Sequence, residues 1–131
     1  MHIWQKVLNE CVEWHIDTFE EDKCTFESQL LKLEEEIREA SEAALEGVDE
    51  YIEELVDVLI VSYVLSVRYK SELGAYVFTT VHSEIQSKCP QYYNKIEKAI
   101  ENKLERNKRR TWIFIDGKYH HTKENTTNVI Q

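Results

Sequence analysis

The sequence predicts an all-α protein, an antiparallel bundle of four to five helices with a short C-terminal β-hairpin. Three observations predict it. Apolar residues recur at helical spacing through most of residues 2–110. Glycine and proline are scarce, three and one in 131 residues, so few loops interrupt the helices. Near the end, two short β-rich runs flank Asp116-Gly117, a type I′ turn signal. A chain of this length is one domain, helical over 2–110 with a hairpin and tail over 111–131.

The first helix is expected over residues 2–18. Ile3, Val7, Cys11 and Trp14 recur at helical spacing, and Trp4, Leu8 and Val12 widen the stripe. Trp4, Trp14 and His15 are either core aromatics or a dimer seam, the favoured reading, or platforms for a nucleobase. Residues 19–27 are polar and read as a connection, with Ser28 or Thr25 as the next N-cap. The second helix, 27–46, carries the stripe Leu30, Leu33, Ile37, Ala40 and Ala44. Gly47 is its stop and Asp49 the N-cap of the third helix, 50–69. That helix is apolar on nearly every face from Val58 to Val67, which places it in the middle of the bundle.

Ser71 opens a fourth helix with Leu73, Val77, Val81 and Ile85 at steps of four, ending near Cys89-Pro90. A fifth, 91–108, turns Tyr92, Ile96 and Ile100 inward, and continues that face as Lys103, Asn107 and Arg110. Cations there favour the helix dipole, and they also suit a phosphate. The runs Thr111–Ile115 and Lys118–Thr122 make the hairpin, whose aromatics and His120-His121 are candidates to touch a ligand. An isolated hairpin is marginal in water, so it must pack on something. Residues 123–131 are polar and expected to fray.

The acids of the two central helices carry the chemistry. Glu36 and Glu39 are three apart, as are Glu54 and Asp57, so each pair shares a helix face. Glu54 and Asp57 point along a face that is otherwise core, and a buried carboxylate without a partner is costly. If the two helices pack antiparallel, four carboxylates converge and need a divalent cation among them. All-oxygen ligation suits Mg²⁺, with Mn²⁺ as a substitute, rather than zinc. Glu34, Glu42, Glu46 and Glu50 read as solvated helix surface.

Glu35-Glu36-x-x-Glu39 followed by Glu54-x-x-Asp57 resembles the paired EExxE and ExxD motifs of the all-α nucleoside triphosphate pyrophosphohydrolases. That superfamily includes MazG, the dimeric dUTPases and the dCTP pyrophosphatases. Leu33, Leu55, Val58 and Leu59 match its apolar context, and Asn102–Arg110 resembles its basic closing segment; the resemblance covers residues 25–70 well and the rest loosely. It implies Mg²⁺-dependent cleavage of a nucleoside triphosphate to monophosphate and pyrophosphate, a nucleotide-pool activity. It implies metal ligation by Glu36, Glu39, Glu54 and Asp57, with Glu35 left to orient or deprotonate the water. It also implies a phosphate grip by Lys103, then Asn107 and Arg110, with Arg106 in the alternative register. Pyrimidine deoxynucleotides are common substrates of the family. Its active sites are commonly completed across subunits, so a homodimer or homotetramer is expected.

Bulk properties narrow the alternatives. Sixteen basic against 25 acidic residues give a net charge of −9, which opposes nonspecific binding to nucleic acid or an anionic membrane. Cys11, Cys24 and Cys89 form no CxxC and suggest reduced thiols in the cytoplasm. Met-His-Ile-Trp-Gln-Lys has no secretion-signal character, and the apolar run 58–67 is too short to span a bilayer. No GxxxxGK[ST] loop is present, which argues against an ordinary ATPase or kinase. The rival to an enzyme is a non-catalytic helical module, metal-binding or protein-binding.

Overall fold

The computed structural model describes residues 4–122. The chain runs α1 (Gln5–Thr18), α2 (Phe26–Ala43), α3 (Val48–Arg68), α4 (Glu72–Lys88), a 3₁₀ turn (Pro90–Lys95), α5 (Ile96–Arg109), β1 (Trp112–Ile115) and β2 (Lys118–His121). Ile3 and the tail 123–131 lie outside the described residues. No helix among the described residues is long and apolar enough to cross a membrane.

The centre is α3, which contacts α1, α2, α4 and α5. Its buried positions, from Ile52 and Leu55 through Val58, Leu59, Val64 and Leu65, include consecutive residues, as an all-round apolar helix requires. Ser62 is fully buried among them and donates its hydroxyl to the Leu59 carbonyl at 3.1 Å. That bond spares the core an unmet polar group.

Local chemistry sets the helix starts. Thr25 caps α2, its Oγ1 accepting from the Ser28 amide at 3.1 Å. Ser71 caps α4 in the same way, accepting from the Gly74 amide at 3.0 Å. The expected Asp49 cap is corrected: α3 begins at Val48 from Gly47, with no side-chain cap. Asp49 and Glu50 instead sit in the first turn, where negative charge favours the helix dipole.

Two inward faces differ from the sequence reading. On α2 the buried residues are Leu33, Glu36, Ala40 and Ala43, while Ile37 is 41% exposed and Ala44 is exposed. Counting apolar residues alone turned the helix too far, because an acid occupies one inward place. On α4, Val81 and Ile85 are buried but Leu73 is 52% exposed. The inward residue is Gly74, packed against α3. A Cβ there would stand 2.8 Å from both Leu65 Cβ and the Ser62 carbonyl oxygen. Glycine is thus a condition of the α3–α4 approach. Gly74→Ala is expected to lower unfolding stability by about 1–2 kcal/mol in a denaturant titration. Overpacking outweighs the roughly 1 kcal/mol that alanine gains in a helix.

The fifth helix is shorter than its pattern suggests. Pro90 opens a 3₁₀ turn, and α5 starts only at Ile96. Ile96, Ile100 and Leu104 are its buried stripe. Trp4 is fully buried, its ring against His82 and Tyr93 at 5.1 and 5.0 Å, so it is core and no open platform. The hairpin pairs Trp112 with His121 and Ile115 with Lys118. Asp116 and Gly117 have φ of 54° and 82°, both positive as a type I′ turn requires. It packs on the bundle through Trp112 and Tyr119, which meet Phe19 at 5.1 and 4.7 Å.

A buried polar joint ties α1 to the end of α3. Arg68 donates to His15 Nδ1 at 2.8 Å, to the His15 carbonyl at 3.1 Å and to the Phe19 carbonyl at 2.7 Å. A guanidinium only donates, so Nδ1 must accept and the neutral ring carries its proton on Nε2. Nε2 lies 3.8 Å from Cys24 Sγ, which also accepts from Gln29 at 3.2 Å.

Candidate metal centre

Antiparallel packing of α2 on α3 sets Glu36 opposite Glu54 and Asp57. One carboxylate oxygen from each of the three lies within 4.8 Å of the others. Glu36 is only 6% exposed, and its Oε1 is buried without a hydrogen-bond partner. Burial pushes the Asp57 carboxyl up to about 6; Lys103 opposes the rise, while Glu36 and Glu54 add to it.

Two ammonium groups flank the acids. Lys32 Nζ lies 2.8 Å from Glu36 Oε2 and 3.8 Å from Glu35. Lys103 Nζ reaches from α5 to Asp57 Oδ2 at 3.2 Å. Burial works against the Lys32 charge, but Glu36, Glu35 and Asp57 outweigh it and hold that ammonium above its ordinary range. Lys103 therefore stands at the cluster, as its place in the α5 stripe suggests. Lys32 was missed, although the i,i+4 spacing of Lys32 and Glu36 was readable in the sequence.

The remaining candidates are spread around this centre. Glu39 is half-buried and not among the three converging acids; burial, then Glu36, Glu35 and Glu54, raise its carboxyl pKa. With Glu42, Glu46, Glu50, Glu53 and Glu54 it lines a cleft of about 230 Å³. Glu42, Glu46 and Glu50 are exposed, as expected, yet they rim that cleft. Glu35 is about half-exposed beside Lys32. Asn107 and Arg110 are half-buried beyond Lys103, and Arg110 Nη1 donates to Asn107 Oδ1 at 3.3 Å. Arg110 Nε is buried without a hydrogen-bond partner. Arg106 is exposed, so the Lys103, Asn107 and Arg110 register is the one turned toward the bundle. His120 and His121 are exposed on the hairpin, His121 with its ring edge on Trp112.

The donor set fits a hard divalent cation. Three carboxylates offer oxygen only, and one buried oxygen has no other partner. A separate apolar groove of about 290 Å³, lined by Ile37, Leu55, Tyr76 and Val81 among others, shares no residue with the cluster. No protein-family model, curated protein or solved structure matches the chain. The resemblance to the all-α pyrophosphohydrolases thus rests on the sequence motifs and their context alone.

Proposed function

We propose that the chain is a Mg²⁺-dependent nucleoside triphosphate pyrophosphohydrolase that yields a nucleoside monophosphate and pyrophosphate. The observation that carries this reading is the convergence of Glu36, Glu54 and Asp57, with one buried Glu36 oxygen unmet, beside the cationic edge of α5.

Glu36, Glu54 and Asp57 hold the cation, with Glu39 as a further carboxylate at the adjoining cleft. When bound, Mg²⁺, or Mn²⁺ in its place, would supply neutralisation of the triphosphate charge and activation of the attacking water. Glu35, on the solvent side, orients the attacking water and takes its proton. The water oxygen bonds to the α-phosphorus, and the bond from that phosphorus to the bridging oxygen breaks. The electron pair leaves with pyrophosphate, whose charge Lys103, Asn107 and Arg110 receive. The working assembly is a homodimer or homotetramer, and a pyrimidine deoxynucleotide is the preferred substrate class.

Pyrophosphate release from a panel of canonical and damaged nucleoside triphosphates, with Mg²⁺ and with EDTA, tests this directly. Mg²⁺-dependent release from one or a few supports it. Silence across the panel, with Mg²⁺ still raising Tm, keeps the metal site and leaves a non-nucleotide substrate or a structural role. Silence on both counts favours a second reading, an ion-paired interaction module, for which there is one specific observation: Lys32 and Lys103 already partner Glu36 and Asp57.

Lys103→Ala is expected to weaken triphosphate binding about tenfold while leaving Mg²⁺ binding unchanged or tighter. Equal losses of both in titration calorimetry would remove the phosphate role.

A further inference from the structure

Lys32 stands four residues before Glu36 on α2, with its ammonium 2.8 Å from Glu36 Oε2. Glu36 is 6% exposed, and its Oε1 is buried without a hydrogen-bond partner. Lys32 therefore satisfies half of a buried carboxylate and leaves the other half unmet. The two flanking lysines differ in their freedom. The Lys32 side chain is 47% exposed and the Lys103 side chain 18%. The Lys32 side chain borders solvent, whereas Lys103 spans from α5 to Asp57 on α3 and is mostly buried.

We propose that Lys32 is a tethered counter-ion that occupies Glu36 in the metal-free protein and must withdraw when a divalent cation binds. It thereby sets the metal affinity of the cluster. The proposal rests on the reading of Glu36, Glu54 and Asp57 as a divalent-cation site. Its physical basis is exclusion: an ammonium and a divalent ion on the same carboxylate stand a few ångströms apart and repel. Removing the ammonium leaves the three acids, all within 4.8 Å, with less to neutralise them and a stronger pull on an incoming cation. An ordinary surface pair four residues apart on a helix would contribute a little stability and leave cation affinity untouched.

Calorimetric titration of the full chain with Mn²⁺, without nucleotide, separates the two. Lys32→Met keeps the apolar stem and the helix propensity. It is expected to bind Mn²⁺ about tenfold more tightly than the parent, with a larger Mn²⁺-induced rise in Tm. Lys32→Arg keeps the charge and stays near the parent. Lys32→Gln gives the same reading as Met if the latter unfolds. Parent-like or weaker Mn²⁺ binding by both uncharged variants would overturn the counter-ion role and leave the metal site standing. No Mn²⁺ binding by the parent or by the uncharged variants would overturn the metal site itself, and the counter-ion with it.

Discussion

Glu54→Gln is expected to lower Mg²⁺-dependent pyrophosphate release by on the order of 10²–10³-fold without lowering the Tm of the metal-free protein. The two halves have separate causes. Glutamine keeps the length and helix propensity of glutamate and still offers one oxygen, so α3 keeps its packing. It removes one of three negative charges that lie within 4.8 Å of each other. Glu54 has neither Lys32 nor Lys103 as its ion-pair partner; those stand on Glu36 and Asp57. Its charge is therefore the one the metal-free fold can best do without, and losing it relieves repulsion. In the proposed pyrophosphohydrolase, binding of the cation and of the triphosphate would depend on that same charge. Parent-like turnover in Glu54→Gln would sink the assignment of Glu54 to the metal set. A large fall in metal-free Tm would mean that the residue is structural.

The legible part of this molecule is the part where pattern and packing agree. A helix apolar on nearly every side, from Val58 to Val67, has one place to go, and α3 is central. The Asp116-Gly117 turn is read from chemistry that only a few residues satisfy. Motif spacing put Glu36, Glu54 and Asp57 in one place because helical periodicity and antiparallel packing suffice for that. What was not legible depends on a partner that periodicity does not see. The rotation of α2 follows from Glu36 taking a buried position that an apolar count reserves for Ile37. Gly74 looks like a weak helix residue until the α3 backbone is placed 2.8 Å from its missing Cβ. The joint of His15, Arg68 and Cys24 spans more than fifty residues and has no local signature.

That joint gives the second large effect, a loss of stability on the acid side that Asp57 conceals. Burial, then the Arg68 charge, lowers the His15 pKa from 6.5 to about 4. An unfolded chain binds this proton as pH falls through 6.5, while the folded chain refuses it until about 4. Stability held above pH 6.5 is therefore lost as pH drops toward 4, by about 3 kcal/mol for a shift of this size. Against a typical total of roughly 5–15 kcal/mol, that is a large share. Asp57 runs the other way. Its folded pKa is raised from 3.8 to about 6, so the folded chain takes up a proton first and gains stability as pH falls across that window. In the metal-free protein the two oppose each other between pH 4 and 6, and the profile is expected to be flatter than that of either group alone. Asp57→Asn removes the compensating group and exposes the His15 term. Urea titrations at pH 7 and pH 4.5 should show the variant losing about 2 kcal/mol more than the parent between the two conditions. A flat profile in Asp57→Asn would mean that His15 accepts a proton while folded, and that the Arg68 hydrogen bond at Nδ1 does not hold the ring neutral.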